Sequence, residues 1–399
     1  MKRTKALINK ETLFYIFDGK KVTKQYMLKN CKCKPESLDS WLDVTSETLP
    51  TIQQAKKIAK CLHIPFAAMY MNRNDIKLKS IPSIRNFRTV LNPDNIDDSL
   101  LNLTIIDLLT ERDFLIEAKK ELGINSELFC PKVPESNSPK IWADKIRQYF
   151  SLDLKAQYDF SNARQFYLYL RSKIEKKGIF IQCFKGLEIE SIRGIAIYDN
   201  IMPVIGINNI DRHPGKIFSI LHEIVHIYKR QSSFCNEMYN NFSMQNEEAF
   251  CNAVAGEVLV PTEAIQTILN DEKIEHVFDM QNIEALAKRF SVSREVIIRR
   301  LYDMKEINQS QYELFNDIIN KECEDNSEKK QTTRKKSTSK TAVRNMSKAI
   351  IDSTSSEICK VLYEGYCEQI YDEIYISEYL GLNVDHVDSF LNEVAEWDS

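Results

Sequence analysis

The pentapeptide His222-Glu223-Ile224-Val225-His226 limits what this chain can fold into more than any other stretch of it. Two imidazoles four residues apart reach one point only if the backbone between them is an α-helix, where i and i+4 share a face. Glu223 then projects beside them, placed to take a proton from a water held by a metal. Around it, Ile217, Leu221, Ile224 and Tyr228 repeat at the spacing of a buried stripe. His222 and His226 fall on the side away from that stripe, so the expected helix packs into a core on one side and lines a cleft with the other.

A catalytic zinc takes three protein ligands and keeps one position open. Ser232 stands where a three-histidine metzincin pattern needs its last histidine, so a carboxylate from a second helix is the remaining common solution. The segment Asn246 to Pro261 offers one. Glu248, Asn252, Ala255 and Leu259 share a face, and the small Ala255 permits close approach to the first helix. Glu248 is the candidate ligand, with Asn252 one turn on to orient the second nitrogen of a histidine. Glu247 is its rival, and the shared face favours Glu248. The plainer alternatives are core histidines satisfied by hydrogen bonds and a helix start made acidic for its dipole.

The histidine helix, followed by a Glu-x-x-small-Asn helix closing on Val260-Pro261, resembles the ImmA/IrrE family of zinc metallopeptidases. Pro203 to Asn208 is similar to the strand before that family's metal helix. Ala285 to Leu301 resembles its closing helix pair, and Ile81 to Thr89 its junction with an N-terminal part. The resemblance spans roughly residues 80–320 and implies zinc held by His222, His226 and Glu248, with Glu223 as general base. It also implies a regulatory role: cutting a repressor-type DNA-binding protein, often on a mobile element, so that silenced genes are released. Val225, Val254 and Cys251 depart from common family residues, but all are small or apolar and bear on packing. For the oxyanion donor, Tyr228, Tyr239, Arg212 and His213 are candidates by type and nearness in sequence.

The 399 residues carry 54 Lys and Arg against 57 Asp and Glu, a net charge of −3 that makes no global case for nucleic acid. Ten scattered cysteines show no disulfide framework, and Cys31-Lys32-Cys33 is too tight for a zinc ribbon. With no apolar leader or spanning run, the expectation is a cytoplasmic protein outside the membrane.

The fold expected is α+β and mostly helical: a zincin-like peptidase domain over 81–320 with a small antiparallel sheet, between helical N- and C-terminal modules. Strands are expected at 179–184, 194–198 and 203–207, the last two joined as a hairpin, with a free edge for a peptide or a covered one. Residues 1–80 read as short helices (12–17, 24–28, 35–42, 52–62), and Leu49 to Ala59 resembles the end of a repressor-type helix-turn-helix domain. Its recognition helix would be 35–44, which carries Glu36, Asp39 and Asp43 and no Lys or Arg, so protein recognition is favoured over DNA. Arg294, Arg299 and Arg300 also give a DNA-like look to 285–301, but that stretch reads better as the close of the peptidase domain. Residues 321–345 read as a polar flexible linker and 346–399 as a helical docking or oligomerisation module, with one helix through Ile370 and two around Gly381. The alternative function is a zinc-containing transcription regulator or sensor that binds DNA or a partner protein without cleaving it.

Overall fold

The computed structural model describes residues 4–82, 85–86, 98–189, 191–235, 246–271, 279–330 and 339–397. Four helices open the chain: α1 (Lys10–Gly19), α2 (Lys24–Cys31), α3 (Pro35–Leu42) and α4 (Ile52–Cys61). Each start is written in the sequence. Asn9, Thr23 and Thr51 cap by accepting a backbone N–H, Thr51 and Gln54 completing a capping box, and Pro35 opens α3. Leu13, Ile16, Met27, Leu38, Trp41 and Ile58 close a core among them. Buried Lys10 donates to the carbonyls of Ser40, Asp43 and Ser46, satisfying groups that the end of α3 leaves open. Lys24 pairs with Asp39 at 2.6 Å across α2 and α3.

After β1 (Arg85–Asn86) comes α5 (Asp98–Glu121), apolar on most of its circumference and therefore enclosed by neighbours. Leu103 enters the N-terminal core, while Leu101, Ile105, Leu108 and Leu109 face the sheet and the C-terminal helices. Next come α6 (Pro139–Phe150), α7 (Leu154–Asp159) and α8 (Ala163–Glu175). The strands β2 (Phe180–Phe184), β3 (Gly194–Ile197) and β4 (Val204–Asn208) feed α9 (His213–Tyr228), followed by β5 (Ser233–Cys235) and α10 (Asn246–Leu259). Then follow α11 (Thr262–Asp271), α12 (Met280–Arg289), α13 (Arg294–Asp303), α14 (Gln309–Lys330), α15 (Ser339–Ser353), α16 (Ser356–Cys367), α17 (Glu373–Leu380) and α18 (Val387–Ala395).

The fold is α+β and mostly helical, but the sheet is mixed rather than antiparallel. Its order is β1-β5-β3-β4-β2. β3 and β4 form the expected antiparallel pair, yet β2 lies on the far side of β4 and runs parallel to it. β5 adds to β3 antiparallel, and β1 to β5 parallel. Alternate residues divide between two cores, as the strand period requires. Ile181, Ala196, Ile205 and Ile207 face α9, whereas Phe180, Ile195, Ile197 and Val204 face α5 and the C-terminal helices.

Three further expectations change. The single helix drawn through Ile370 breaks at Thr354-Ser355, where the Ser355 hydroxyl caps α16. The linker of 321–345 is helical at both ends, in α14 and α15; residues 331–338 lie outside the described residues. The β2 edge is covered: the Ser355 amide donates to Gln182 Oε1 at 2.7 Å, and Arg171 and Tyr167 donate to the carbonyls of Ile351 and Asp352 beside it. The C-terminal helices thus dock within their own chain. Among the described residues no helix is long and apolar enough to cross a membrane.

Candidate metal centre

The metal helix α9 follows directly from β4, and Pro214 sits in its first turn, where a missing N–H costs nothing. Every residue from Gly215 to Tyr228 is buried. The sequence predicted one side open to a cleft; instead α10 covers the histidine side while β3, β4 and α8 cover the rest. His222 and His226 are 3% and 0% exposed.

Across that contact, His222 Nε2 lies 3.1 Å from Glu248 Oε2, His226 Nε2 lies 3.1 Å from Glu248 Oε1, and the two Nε2 atoms are 3.3 Å apart. A tetrahedral zinc with bonds of about 2.0–2.1 Å holds neighbouring ligand atoms about 3.3–3.4 Å apart. The three side chains therefore form a triangle of nearly the size of one face of such a tetrahedron. Glu247 turns away to Lys229 at 3.5 Å, which separates the two rival carboxylates. Asn252 Oδ1 lies 2.8 Å from His222 Nδ1 and fixes the tautomer that leaves Nε2 facing the triangle. Cys251 also brings its sulfur within 4.8 Å of the histidine donors. Glu248 fits better, because its oxygens are at ligand spacing while burial, reinforced by Glu248, pushes the Cys251 thiol well up and holds its proton. Two imidazoles and a carboxylate at this spacing suit zinc.

Charge follows geometry. Burial works against the Glu248 carboxylate, but hydrogen bonds from His222 and His226 overcome it and hold Glu248 well below the usual range. Burial also opposes a charged His222, and the bond to Glu248 outweighs that to raise it. Glu223, 1% exposed, is raised by burial, with the two histidines opposing.

Two residues that support Glu223 were missed in the sequence. Ser233 on β5 lies with its hydroxyl 3.4 Å from Glu223 Oε2. Gly194 on β3 lies under the carboxylate: a Cβ there would stand 2.9 Å from Glu223 Cγ and 3.0 Å from Cδ, so the close approach needs glycine. A glycine opening a predicted strand was the only signal available.

The oxyanion candidates among the described residues do not gather at the triangle. Tyr228 turns into an aromatic cluster with Phe129, Tyr149 and Phe150, its hydroxyl buried without a partner. His213, in the first turn of α9, meets Asp352 at 3.2 Å, and Arg212 is the exposed residue before that helix. Tyr239 lies outside the described residues.

Helix α10 is held at its far end. Arg147 donates to Val258 O at 2.6 Å, Gln157 to Leu259 O at 2.9 Å and Arg300 to Val260 O at 3.0 Å. These are carbonyls that the end of the helix leaves open before Pro261. Arg300, DNA-like in the sequence, is buried and also paired with Glu257.

No curated protein and no solved structure matches the chain. A family model does match: residues 175–302 fit Peptidase M78, the IrrE N-terminal-like domain. That stretch runs from the end of α8 through α13 and contains the whole triangle together with Glu223. Over residues 175–302 the chain is thus similar to the IrrE N-terminal-like domain of the ImmA/IrrE metallopeptidases.

Proposed function

We propose that this chain is a zinc-dependent endopeptidase of regulatory type, which cuts a repressor-type DNA-binding protein in the cytoplasm. The observation that carries the reading is the triangle of His222, His226 and Glu248 with a buried carboxylate, Glu223, on the next position of the same helix. His222, His226 and Glu248 would hold the zinc, which when bound lowers the pKa of water and polarises a peptide carbonyl. Glu223 takes the proton from the attacking water and delivers it to the leaving amine nitrogen. Ser233 and Gly194 hold Glu223 in position for both transfers, and Asn252 keeps His222 aimed inward. The acidic α3, with Asp39 already paired to Lys24, supports recognition of a protein over a phosphate backbone. The cysteines described are free thiols, in keeping with a reducing compartment.

The test is a cleavage assay on the repressor-type protein encoded nearest to this chain, with zinc content measured in parallel. Wild type is expected to carry zinc and cut at a defined site. Glu223→Gln should keep the metal and lose about 10²–10⁴-fold in rate, while His222→Ala loses the metal. Cleavage undiminished in Glu223→Gln would sink the reading. Sequence-specific DNA binding that survives this substitution, with no cleavage in wild type, would favour the regulator instead.

A further inference from the structure

A second site lies away from the zinc triangle, at the β2 edge of the sheet, on the side opposite β5. There His63, just after α4, together with α5, β2, α15 and α17 lines a cavity of about 290 Å³. His63, Asp107, Glu111, Lys185 and Tyr379 contribute the polar chemistry of its wall. Asp107 is engaged by His63 Nδ1. Glu111, one turn on along α5, is not: its Oε2 is fully buried with no hydrogen-bond partner, and neither has the buried Tyr379 hydroxyl. The Tyr379 ring is fixed against Phe114, centroids 4.5 Å apart, so the hydroxyl is held in place.

We propose that this cavity binds a small organic cation bearing a primary amine, with Glu111 and Tyr379 as its contacts. A buried carboxyl and a buried hydroxyl without partners are costly in a folded protein, and each lacks what an ammonium group supplies. An anion would meet Asp107 and Glu111 together, and a neutral alcohol would bring no charge to Glu111, since His63 is already engaged with Asp107 and Lys185 only partly offsets the pair. The volume lies just under the usual range for ligand pockets, which sets the guest at the size of a metabolite. Burial first, and then Asp107, push Glu111 up to about 8, with Lys185 opposing. At neutral pH the empty site holds Glu111 mostly as the neutral acid. A bound ammonium ionises it, and one proton leaves to solvent for each cation taken up.

The test is calorimetric titration of the full chain at neutral pH with putrescine, agmatine and tyramine, with 1,4-butanediol as the neutral control. At least one amine is expected to bind one-to-one, and the diol is not. Repeating the titration in buffers of different ionisation enthalpy should reveal proton release. Glu111→Gln, nearly isosteric and checked for native circular dichroism, should weaken binding by at least about tenfold and abolish the release. Tyr379→Phe should weaken binding without changing proton release. The proposal is overturned if none of the amines binds at about 10 mM, or if Glu111→Gln binds as tightly as wild type.

Discussion

At the scale of single residues, the chemistry rests on how closely β3 approaches α9. Glu223 lies over a strand position with no side chain, so its carboxylate is placed by an absence at Gly194. Gly194→Ala is expected to keep zinc, since none of the three ligands moves, yet to cut about 100-fold more slowly because a displacement of about 1 Å costs that much. Zinc analysis with single-turnover cleavage separates the two, and loss of metal would contradict it. Gly194 was invisible in the sequence for a physical reason: its neighbour across the gap is 29 positions away, and no local pattern reports such a contact. His222, Glu223 and His226 were visible because helical periodicity alone brings them together.

At the scale of elements, Glu248 depends on where α10 ends. Three carbonyls there are held by side chains from α6, α7 and α13, none of which touches the metal triangle. Gln157 is the sharpest probe, as its amide serves Leu259 O and Phe290 O, at 2.9 and 2.7 Å, and is 1% exposed. Gln157→Ala leaves both buried carbonyls without that donor and is expected to cost about 2 kcal/mol of stability, with weaker zinc retention. Chemical denaturation and metal competition read the two effects, and a change below about 0.5 kcal/mol would mean the anchor is redundant. Most of the helices were readable through their caps and apolar spacing, whereas α7, α11 and α14 were not. The two- and three-residue strands β1 and β5 were not, because strands so short exist only by virtue of the neighbour they pair with.

At the scale of the whole molecule, one sheet serves two cores, and the second is completed by residues more than a hundred positions downstream. Ile358, Leu362, Ile376, Phe390 and Leu391 cover the face formed by Phe180, Ile195, Ile197 and Val204. Arg171, 1% exposed, fastens the junction by donating to Ile351 O at 2.8 Å. Ending the chain before Ser339 is therefore expected to uncover that face: the fragment should bind a hydrophobic dye and lose the cooperative thermal transition of the full protein. A fragment melting as sharply and as high as the intact chain would show the C-terminal helices to be dispensable.

Local chemistry in the chain was enough to specify most of the α-helices and the β3–β4 hairpin, since each is set by contacts within a few turns, and the shared face of α10 singled out Glu248. Only the folded structure decided that β2 runs parallel to β4, that the histidine face is covered, that Tyr228 and His213 look elsewhere, and that the C-terminal helices close the second core. Those outcomes depend on which distant surfaces exclude water together, and burial between remote segments leaves no periodic trace in either of them.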